Sequence, residues 1–169
     1  MIYPIVKYGN PVLEKPAEPV TAFDGDLKKL VEDMFESMYA AHGVGLAAPQ
    51  IGISKRLAVI DVTFKEDPDA KLVIANPEII KTEGRHTQSE GCLSVPEFRE
   101  QVTRARKVTI RAQDVNGKWF EKTGDDLLAR AFLHETDHLN GKLYISHISV
   151  IKRDFMRRKI RKLMKAGEW

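Results

Sequence analysis

The 169-residue sequence is 43% hydrophobic and 30% charged, with a formal net charge of +3, which is typical of a soluble globular protein. This length predicts one domain, residues 1–169, with a sizeable core. No segment resembles a membrane span or a signal peptide, which favours a cytoplasmic protein, and the one cysteine excludes an intramolecular disulfide.

The first predicted element is a helix near the N-terminus. Apolar residues recur at helical spacing from Leu27 to Met38, so one face of this segment can pack against a core. Asp24 or Asp26 can cap the first turn, and Gly43 can end the helix.

Strands are predicted after this helix. The stretch "RLAVIDV" at 56–62 predicts one strand, and "LVIANPEII" at 72–80 predicts a second that is interrupted by Pro77. In "VTRARKVTIRAQDVNGKWFEK", at 102–122, two strands are predicted around a turn at Asn116-Gly117, because this dipeptide is typical of β-hairpins.

Two further helices are predicted. The segment 125–141 begins with Asp125 and Asp126, which can cap a helix, and ends at Gly141. A second long helix is predicted at about 149–166. Helices and strands do not alternate strictly, and the hairpin requires antiparallel pairing. The predicted fold class is therefore α+β, with antiparallel or mixed sheets packed around a central helix that carries "HETDH", and with a C-terminal helix.

The sequence "HETDH" at 134–138 has the H-E-x-x-H pattern of metal-dependent hydrolases. His134 and His138 are one helical turn apart on the same face, so both imidazoles can reach one ion. Glu135 is rotated about a quarter turn away, where it can act on a water molecule as a general base. The alternative is a helix whose histidines point into solvent or a polar pocket.

A catalytic metal site usually needs a third protein ligand and one open position. The metzincin extension of the motif fails, because Tyr144 stands where that pattern requires histidine. The downstream acids, Asp154 and Glu168, lie in a basic tail and are poorly placed. The other candidates are Cys92, His42, His86 and His147. On chemistry alone Cys92 is favoured, because a thiolate is a strong ligand; a buried, unreactive cysteine is the alternative.

The segment "GVGLAAPQ" at 43–50 superficially resembles a dinucleotide-binding loop. Such a loop follows a strand and opens a helix. This segment instead follows the first predicted helix and precedes the strand at 56–62, so the sequence predicts no bound dinucleotide. Its simplest interpretation is a helix stop followed by a connecting loop.

The positive charge is concentrated in the tail. Residues 151–169 carry eight Lys/Arg and two Asp/Glu, a net +6, which leaves −3 for the rest of the chain. A stripe of apolar residues is expected to pack on the core: Ile151, Phe155, Ile160, Leu163 and Met164. The simplest interpretation is a solvated helix on the core, and the alternative is a surface that attracts RNA phosphate.

Three segments together resemble peptide deformylase: "GVGLAAPQ" at 43–50, "EGCLS" at 90–94 and "HETDHLNG" at 134–141. Their order and spacing are specific to that family. The resemblance also includes the N-terminal "GNPVLEKPAEPV" and the predicted hairpin, so it covers nearly the whole chain. One departure is Leu133, where many deformylases have glutamine; it concerns the lining near the site, not the metal ligands.

The resemblance implies removal of the formyl group from N-formylmethionine at the start of newly made polypeptides, with release of formate. The implied metal ligands are Cys92, His134 and His138. The implied ion is ferrous iron, with zinc, nickel or cobalt able to replace it. A metal-bound water would be the nucleophile, with Glu135 as general base and then acid. The metal, the Gln50 amide and the Leu93 backbone N–H would hold the oxyanion.

The resemblance also implies that the 43–50 loop forms a wall of the substrate cleft. The backbone near Val44 and Gly45 would hold the peptide, and Arg99 would bind its main-chain carbonyls. Glu90 would pair with Arg104; ordinary surface charge is the alternative for these charged residues.

The expected partners are nascent formyl-Met polypeptides and, through the basic C-terminal helix, the ribosome, which deformylases are known to contact. Two other classes remain open at this point. One is a metallopeptidase that cleaves peptide bonds, and the other is a non-enzymatic RNA-binding protein that uses the basic tail.

Overall fold

Three helices and seven strands make up the computed structural model, which describes residues 1–169. The helices are α1 (Gly25–Ala40), α2 (Leu127–Leu139) and α3 (Val150–Lys165). The strands are β1 (Gly45–Ala47), β2 (Leu57–Ile60), β3 (Leu72–Glu83), β4 (His86–Cys92), β5 (Val95–Arg104), β6 (Lys107–Gln113) and β7 (Trp119–Asp125). Short 3-10 turns occur at Pro11–Glu14, Ala48–Ile51, Pro68–Ala70 and Tyr144–His147. The predicted α+β class is confirmed.

The strands form two antiparallel sheets. A five-stranded sheet has the order β1-β2-β3-β6-β7, so β1 is an edge strand, and β4 pairs only with β5 in a separate hairpin. Side chains alternate across β2 because successive residues of a strand point to opposite faces. Leu57 and Val59 pack with the core under α1, and Ala58 and Ile60 pack with the core under α2. The larger sheet is therefore covered by one helix on each face.

The helix that carries "HETDH" is central, as predicted. In α2, Ala129, Phe132 and Leu139 are buried against the larger sheet. Asp126 occupies the N-cap position, but its side chain makes no capping bond and lies 3.3 Å from Arg106 Nε instead. The predicted side-chain cap is thus wrong at Asp126, although the start of the helix is right.

The first helix forms as the sequence indicates. Asp24 is its N-cap, and the Leu27 backbone N–H donates to Asp24 Oδ1 over 3.1 Å. The helix ends at Ala40, and the Gly43 N–H donates to the Met38 carbonyl over 3.0 Å. The chain then turns directly into β1, so the 43–50 segment is part strand and part 3-10 turn rather than only a connecting loop.

Two strand predictions need correction. β3 continues through Pro77, because a bulge between Ala75 and Glu78 absorbs the proline and places Asn76 at φ 49°. The predicted hairpin exists as β6 and β7, with Gly117 at φ 83° in the turn, but residues 102–104 belong to β5 of the other sheet.

The C-terminal helix lies where the sequence predicts, with Ser149 as its N-cap. The predicted apolar stripe is right for Ile160, which is buried, and wrong for Ile151, Phe155 and Met164, which are exposed. Met156 and Ile160 are buried in a third core cluster, whereas Ile151 is 83% exposed and Phe155 is 60% exposed. No helix in the structure has the length and apolarity needed to cross a membrane.

Candidate metal centre and substrate cleft

Cys92, at the end of β4, meets His134 and His138 of α2. Their potential ligand atoms all lie within 4.8 Å of one another, and Cys92 Sγ is 3.2 Å from His138 Nε2. Ligands of one transition-metal ion are expected at such separations, because metal–nitrogen and metal–sulfur bonds are each about 2.0–2.3 Å long. Of the candidate third ligands, the structure brings only Cys92 to the two motif histidines.

The other histidines lie elsewhere. His42 lines the mouth of the cleft and stacks on Phe64 with ring centroids 6.0 Å apart. His86 begins β4, where its carbonyl accepts from Arg130. His147 Nε2 lies 2.9 Å from Asp137 Oδ2. None of the three joins the candidate ligand set.

The charge of the site suits a cation. Burial raises the pKa of the Cys92 thiol, but the neighbouring His138 and His134 outweigh it and lower the pKa to about 5. Burial lowers the pKa of His134, yet the nearby Cys92, Glu135 and Glu90 raise it well above its ordinary value. A pocket that holds a thiolate and two carboxylates attracts positive charge, so these residues fit a divalent metal ion.

Glu90 fixes the orientation of His134. His134 Nδ1 lies 2.7 Å from Glu90 Oε2. Because a carboxylate only accepts, this bond holds a proton on Nδ1 and makes Nε2 the nitrogen that can bind a metal. Burial raises the pKa of Glu90, but the bonds from His134 and Arg104 hold it well below its usual range.

Two arginines hold Glu90 in turn. The predicted pair with Arg104 is present, with Nη2 to Oε2 at 2.7 Å and Nε to Oε1 at 3.1 Å. Arg130 Nη1 also donates to Oε1, over 2.8 Å. The role of Arg130 was not predicted from the sequence. Its position one turn before His134 on the same helix was the available signal, since residues four apart share a face.

Glu135 lies beside the ligands and packs against β1. A Cβ atom on Gly45 would come within 2.5 Å of Glu135 Oε2, so only glycine lets the strand approach this closely. Burial raises the pKa of the Glu135 carboxyl above its ordinary value, and Oε1 has no hydrogen-bond partner. This carboxylate is free to accept a proton.

Gln50 lies next to the cysteine. It is 1% exposed, and its Oε1 accepts from the Ala47 N–H over 3.0 Å. This bond orients Nε2, which lies 3.2 Å from Ser94 Oγ and 3.6 Å from Cys92 Sγ. Gln50 therefore presents an amide donor next to the candidate metal centre.

A cleft of about 620 Å³ opens at this point. Residues 42–45 and Gln50 form one wall, and the β4–β5 hairpin forms another. Arg99 belongs to the hairpin wall, where its Nε and Nη2 donate to Ser89 Oγ and to the Ser89 carbonyl. The predicted site residues that line the cleft are Val44, Gly45, Gln50, Cys92, Leu93, Arg99, His134 and Glu135. His138 lies behind them, fully buried in the ligand cluster.

Comparison with known proteins identifies this architecture. A family model described as polypeptide deformylase matches residues 2–154. The chain belongs to the peptide deformylase family. A peptide deformylase of Acidobacterium capsulatum is 64% identical over 169 residues, which cover 100% of this chain and 99% of that protein. A peptide deformylase of Heliobacterium modesticaldum is 48% identical over 87% of this chain and 94% of its own length.

Solved deformylase structures share the fold. A crystal structure of a peptide deformylase from Legionella pneumophila matches with a TM-score of 0.91 at 47% identity, covering 99% of this chain and 98% of that one. One from Thermus thermophilus matches with a TM-score of 0.90 at 41% identity, covering 99% and 98%. This deformylase-family chain is therefore an enzyme of a metalloenzyme family that removes the N-formyl group from nascent peptides.

Leu133, the departure from the usual deformylase pattern, is half buried against the core between α2 and the larger sheet. It therefore points away from the three candidate ligands, and its apolar side chain adds to the packing of the helix that carries two of them.

Proposed function

We propose that this chain hydrolyses the N-formyl group of formylmethionine on nascent polypeptides, with one divalent cation held by Cys92, His134 and His138. The observation that carries the proposal is the cluster of these three donors within 4.8 Å at a cleft, with Glu135 beside it and not part of it. Three protein ligands leave a position open, as catalytic metal sites require. When bound, the cation supplies Lewis acidity, which activates water near neutral pH and polarises a carbonyl oxygen.

Glu135 is the proposed general base and acid. It takes a proton from the water that adds to the formyl carbon, and it gives this proton to the amine as the carbon–nitrogen bond breaks. Formate and a free N-terminal amine result. Its burial and its unpartnered Oε1 support this role, because a base must be close to the reacting water and unoccupied.

Gln50 and the Leu93 backbone N–H are the proposed donors to the negative charge that develops on the formyl oxygen. Gln50 is held in place before substrate binds, since its other amide atom already accepts from Ala47. Donors fixed in advance stabilise charge in the transition state without reorganisation. The backbone of Val44 and Gly45, together with Arg99, would bind the peptide that follows the formyl group.

A substrate comparison tests the reaction. Protein purified without oxygen should release formate from formyl-Met-Ala-Ser and should not act on Met-Ala-Ser or acetyl-Met-Ala-Ser. Cleavage of the unblocked peptide would instead support a metallopeptidase. Absence of both bound metal and activity would favour the RNA-binding alternative.

The general base is tested separately from the ligands. Glu135→Gln should keep one equivalent of metal and lose about 10²–10⁴-fold in kcat, because the ligand set is intact and the proton acceptor is gone. Cys92→Ser is the matched control and should lose metal together with activity. Loss of metal from Glu135→Gln would contradict the assignment and make Glu135 a ligand or a support of the site.

Ferrous iron is the proposed ion, with zinc, nickel or cobalt as substitutes. A thiolate with two imidazoles accepts all four metals, so the test is metal analysis after anaerobic purification. An iron–thiolate centre is open to oxidation. The iron form should lose activity in air while a nickel-loaded form keeps it. Equal loss in both forms would contradict an iron-specific sensitivity.

A cytoplasmic location and ribosome contact complete the proposal. Basic side chains on α3 are exposed to solvent: Lys152, Arg158, Lys159, Arg161, Lys162 and Lys165. Ribosomal RNA phosphate would attract such a surface in a salt-dependent way. Replacing Arg158, Lys162 and Lys165 with glutamine should weaken ribosome binding and its salt dependence, with formate release from a free peptide unchanged. Unchanged ribosome affinity at low salt would contradict this contact.

A further inference from the structure

A continuous set of hydrogen bonds leads from the candidate metal ligand His134 to the surface. It runs through Glu90, Arg104 and Asp137 to His147, and is called the His147 network below. We propose that His147 is a positioning residue that sets the metal affinity of the site through this network. The inference rests on the metal site of the proposed function and extends it to a residue outside the cleft.

In the inner part of the network, four hydrogen bonds hold the Glu90 carboxylate in place. Its two oxygens accept from His134 Nδ1 at 2.7 Å, Arg104 at 2.7 and 3.1 Å, and Arg130 at 2.8 Å. All four side chains are at least nearly buried, with 4–11% of each exposed. Any shift of Arg104 therefore moves Glu90, and Glu90 holds the ring that presents Nε2 to the metal.

The outer part of the network depends on one oxygen atom. Arg104 Nη1 donates to Asp137 Oδ2 over 2.7 Å, and His147 Nε2 lies 2.9 Å from the same oxygen. Arg104 thus joins two carboxylates, and His147 contacts the second of them at the oxygen that Arg104 uses. The positive charges of Arg104 and of its neighbour Arg130 balance the negative charges of Glu90 and Asp137.

The His147 side chain is 38% exposed and is the only member of the network with substantial solvent access. It ends the 3-10 turn Tyr144–His147, whose first residue also touches the site. The Tyr144 ring lies nearly parallel to the His134 ring with centroids 6.5 Å apart. This turn therefore contacts His134 both directly and through hydrogen-bonded side chains, which makes its anchoring on Asp137 relevant to the ligand.

The test measures metal affinity of the metal-free protein by titrating Co²⁺ against a competing chelator. His147→Ala should weaken Co²⁺ binding about threefold to tenfold, which is at or below the usual effect of losing a group that orients a ligand. His147→Gln should restore most of the affinity, because its amide can still donate to Asp137. Lys152→Ala is the control: it removes a surface ion pair to Glu100, outside the network, and should leave the affinity unchanged.

A double variant identifies the route. In an Asp137→Ala background, His147→Ala should have no further effect on Co²⁺ affinity, since the bond through which His147 acts is already absent. Unchanged affinity in His147→Ala, with only a lower melting temperature, would overturn the proposal and leave His147 as an anchor of its turn. Absence of Co²⁺ binding in the parent protein would overturn the metal site itself, which is a separate and recognisable result.

Discussion

The position of Glu135 depends on the absence of a side chain at Gly45. Gly45 lets β1 approach the helix so closely that a methyl group at this position would overlap the carboxylate. The catalytic geometry of a base depends on placement to within about 1 Å, and such a misplacement can cost about 10²-fold in rate. Gly45 thus has a steric role in addition to its proposed backbone contact with the substrate peptide.

Gly45→Ala should therefore lower kcat by about 10²-fold and keep the bound metal, because the new Cβ displaces Glu135 and not a ligand. Steady-state formate release and metal analysis of the same preparation measure both quantities. Gly25→Ala is the control, since a Cβ there meets no atom within 4 Å. Wild-type kcat in Gly45→Ala would show that Glu135 can move without loss of function.

A second residue-scale feature is the buried carboxylate of Asp61, after β2. Its oxygens accept from the Tyr39 hydroxyl, the Thr63 backbone and hydroxyl, and the Lys65 N–H. Burial acts to raise its pKa, but the bonds from Tyr39 and Thr63 outweigh it and lower the pKa from 3.8 to about 2. Because the folded pKa is depressed, this carboxylate stabilises the fold above its unfolded pKa.

The contribution of Asp61 should disappear as the pH falls from about 4 towards 2. Asp61→Asn should be less stable than the parent at pH 6, and the difference in free energy of unfolding should shrink over that pH interval. Urea unfolding at several pH values measures it. Glu66→Gln, an exposed neighbour without these bonds, should follow the parent curve. If the difference in free energy of unfolding between the parent and Asp61→Asn did not change with pH, Asp61 would not be the group that titrates.

At the scale of elements, periodicity and turn chemistry predicted all three helices and the β6–β7 turn. The β4–β5 hairpin was not predicted, because "HTQSEGC" lacks the apolar alternation of a half-buried strand and its glutamate is buried by pairing with arginines. The continuity of β3 depends on a bulge stabilised by Asn76, whose amide bonds to Val20, 56 residues away. Patterns in the local sequence cannot reveal a hydrogen-bond partner that lies so far away in the chain.

The face of α3 that is buried could not be predicted from the sequence, because it also depends on residues that are distant in the chain. Its apolar residues occupy more than one face, and only the shape of the core decides that Met156 and Ile160 are covered while Ile151 and Phe155 are exposed. The three candidate metal ligands, in contrast, could be named from the sequence, because their residue types and segments carry the chemistry, and the structure brings their side chains together. Arg130 was missed although it lies one turn before His134, because an arginine on a helix is usually a surface residue.

The observed phase of α3 predicts unequal costs for two similar substitutions. Ile160→Ala should destabilise the protein by about 2–5 kcal/mol, the range for truncating a buried isoleucine. Ile151→Ala should change stability by less than about 0.5 kcal/mol, because its side chain is 83% exposed. Chemical denaturation measures the stability of both variants. Equal losses of stability would contradict the observed packing of the helix.

Across the whole molecule, the proposed metal site would join the small β4–β5 sheet to α2, which the hydrogen bonds of Glu90 and Arg104 also join. Cys92 belongs to the small β4–β5 sheet, and the two histidines belong to the helix on the larger sheet. A ligand that binds only the folded state stabilises it by mass action, by about 2.7 kcal/mol at a hundredfold excess over Kd. The proposed ion would thus contribute to stability as well as to catalysis.

Removing the ion with a chelator should therefore lower the melting temperature of the parent protein, and adding metal back should restore it. Calorimetry of both forms measures the shift. Cys92→Ser should melt at one temperature with or without chelator, because it cannot hold the ion. A chelator-dependent shift of equal size in Cys92→Ser would place the stabilising ion elsewhere.

The edge position of β1 has a consequence for the range of peptides that can enter. An edge strand offers backbone N–H and C=O groups that no neighbouring strand uses, and Gly45, the first residue of β1, brings this edge to the cleft. An extended peptide can pair there through its main chain, which is the same in every protein. The proposed pairing would thus hold nascent peptides of varied sequence through groups that they all share.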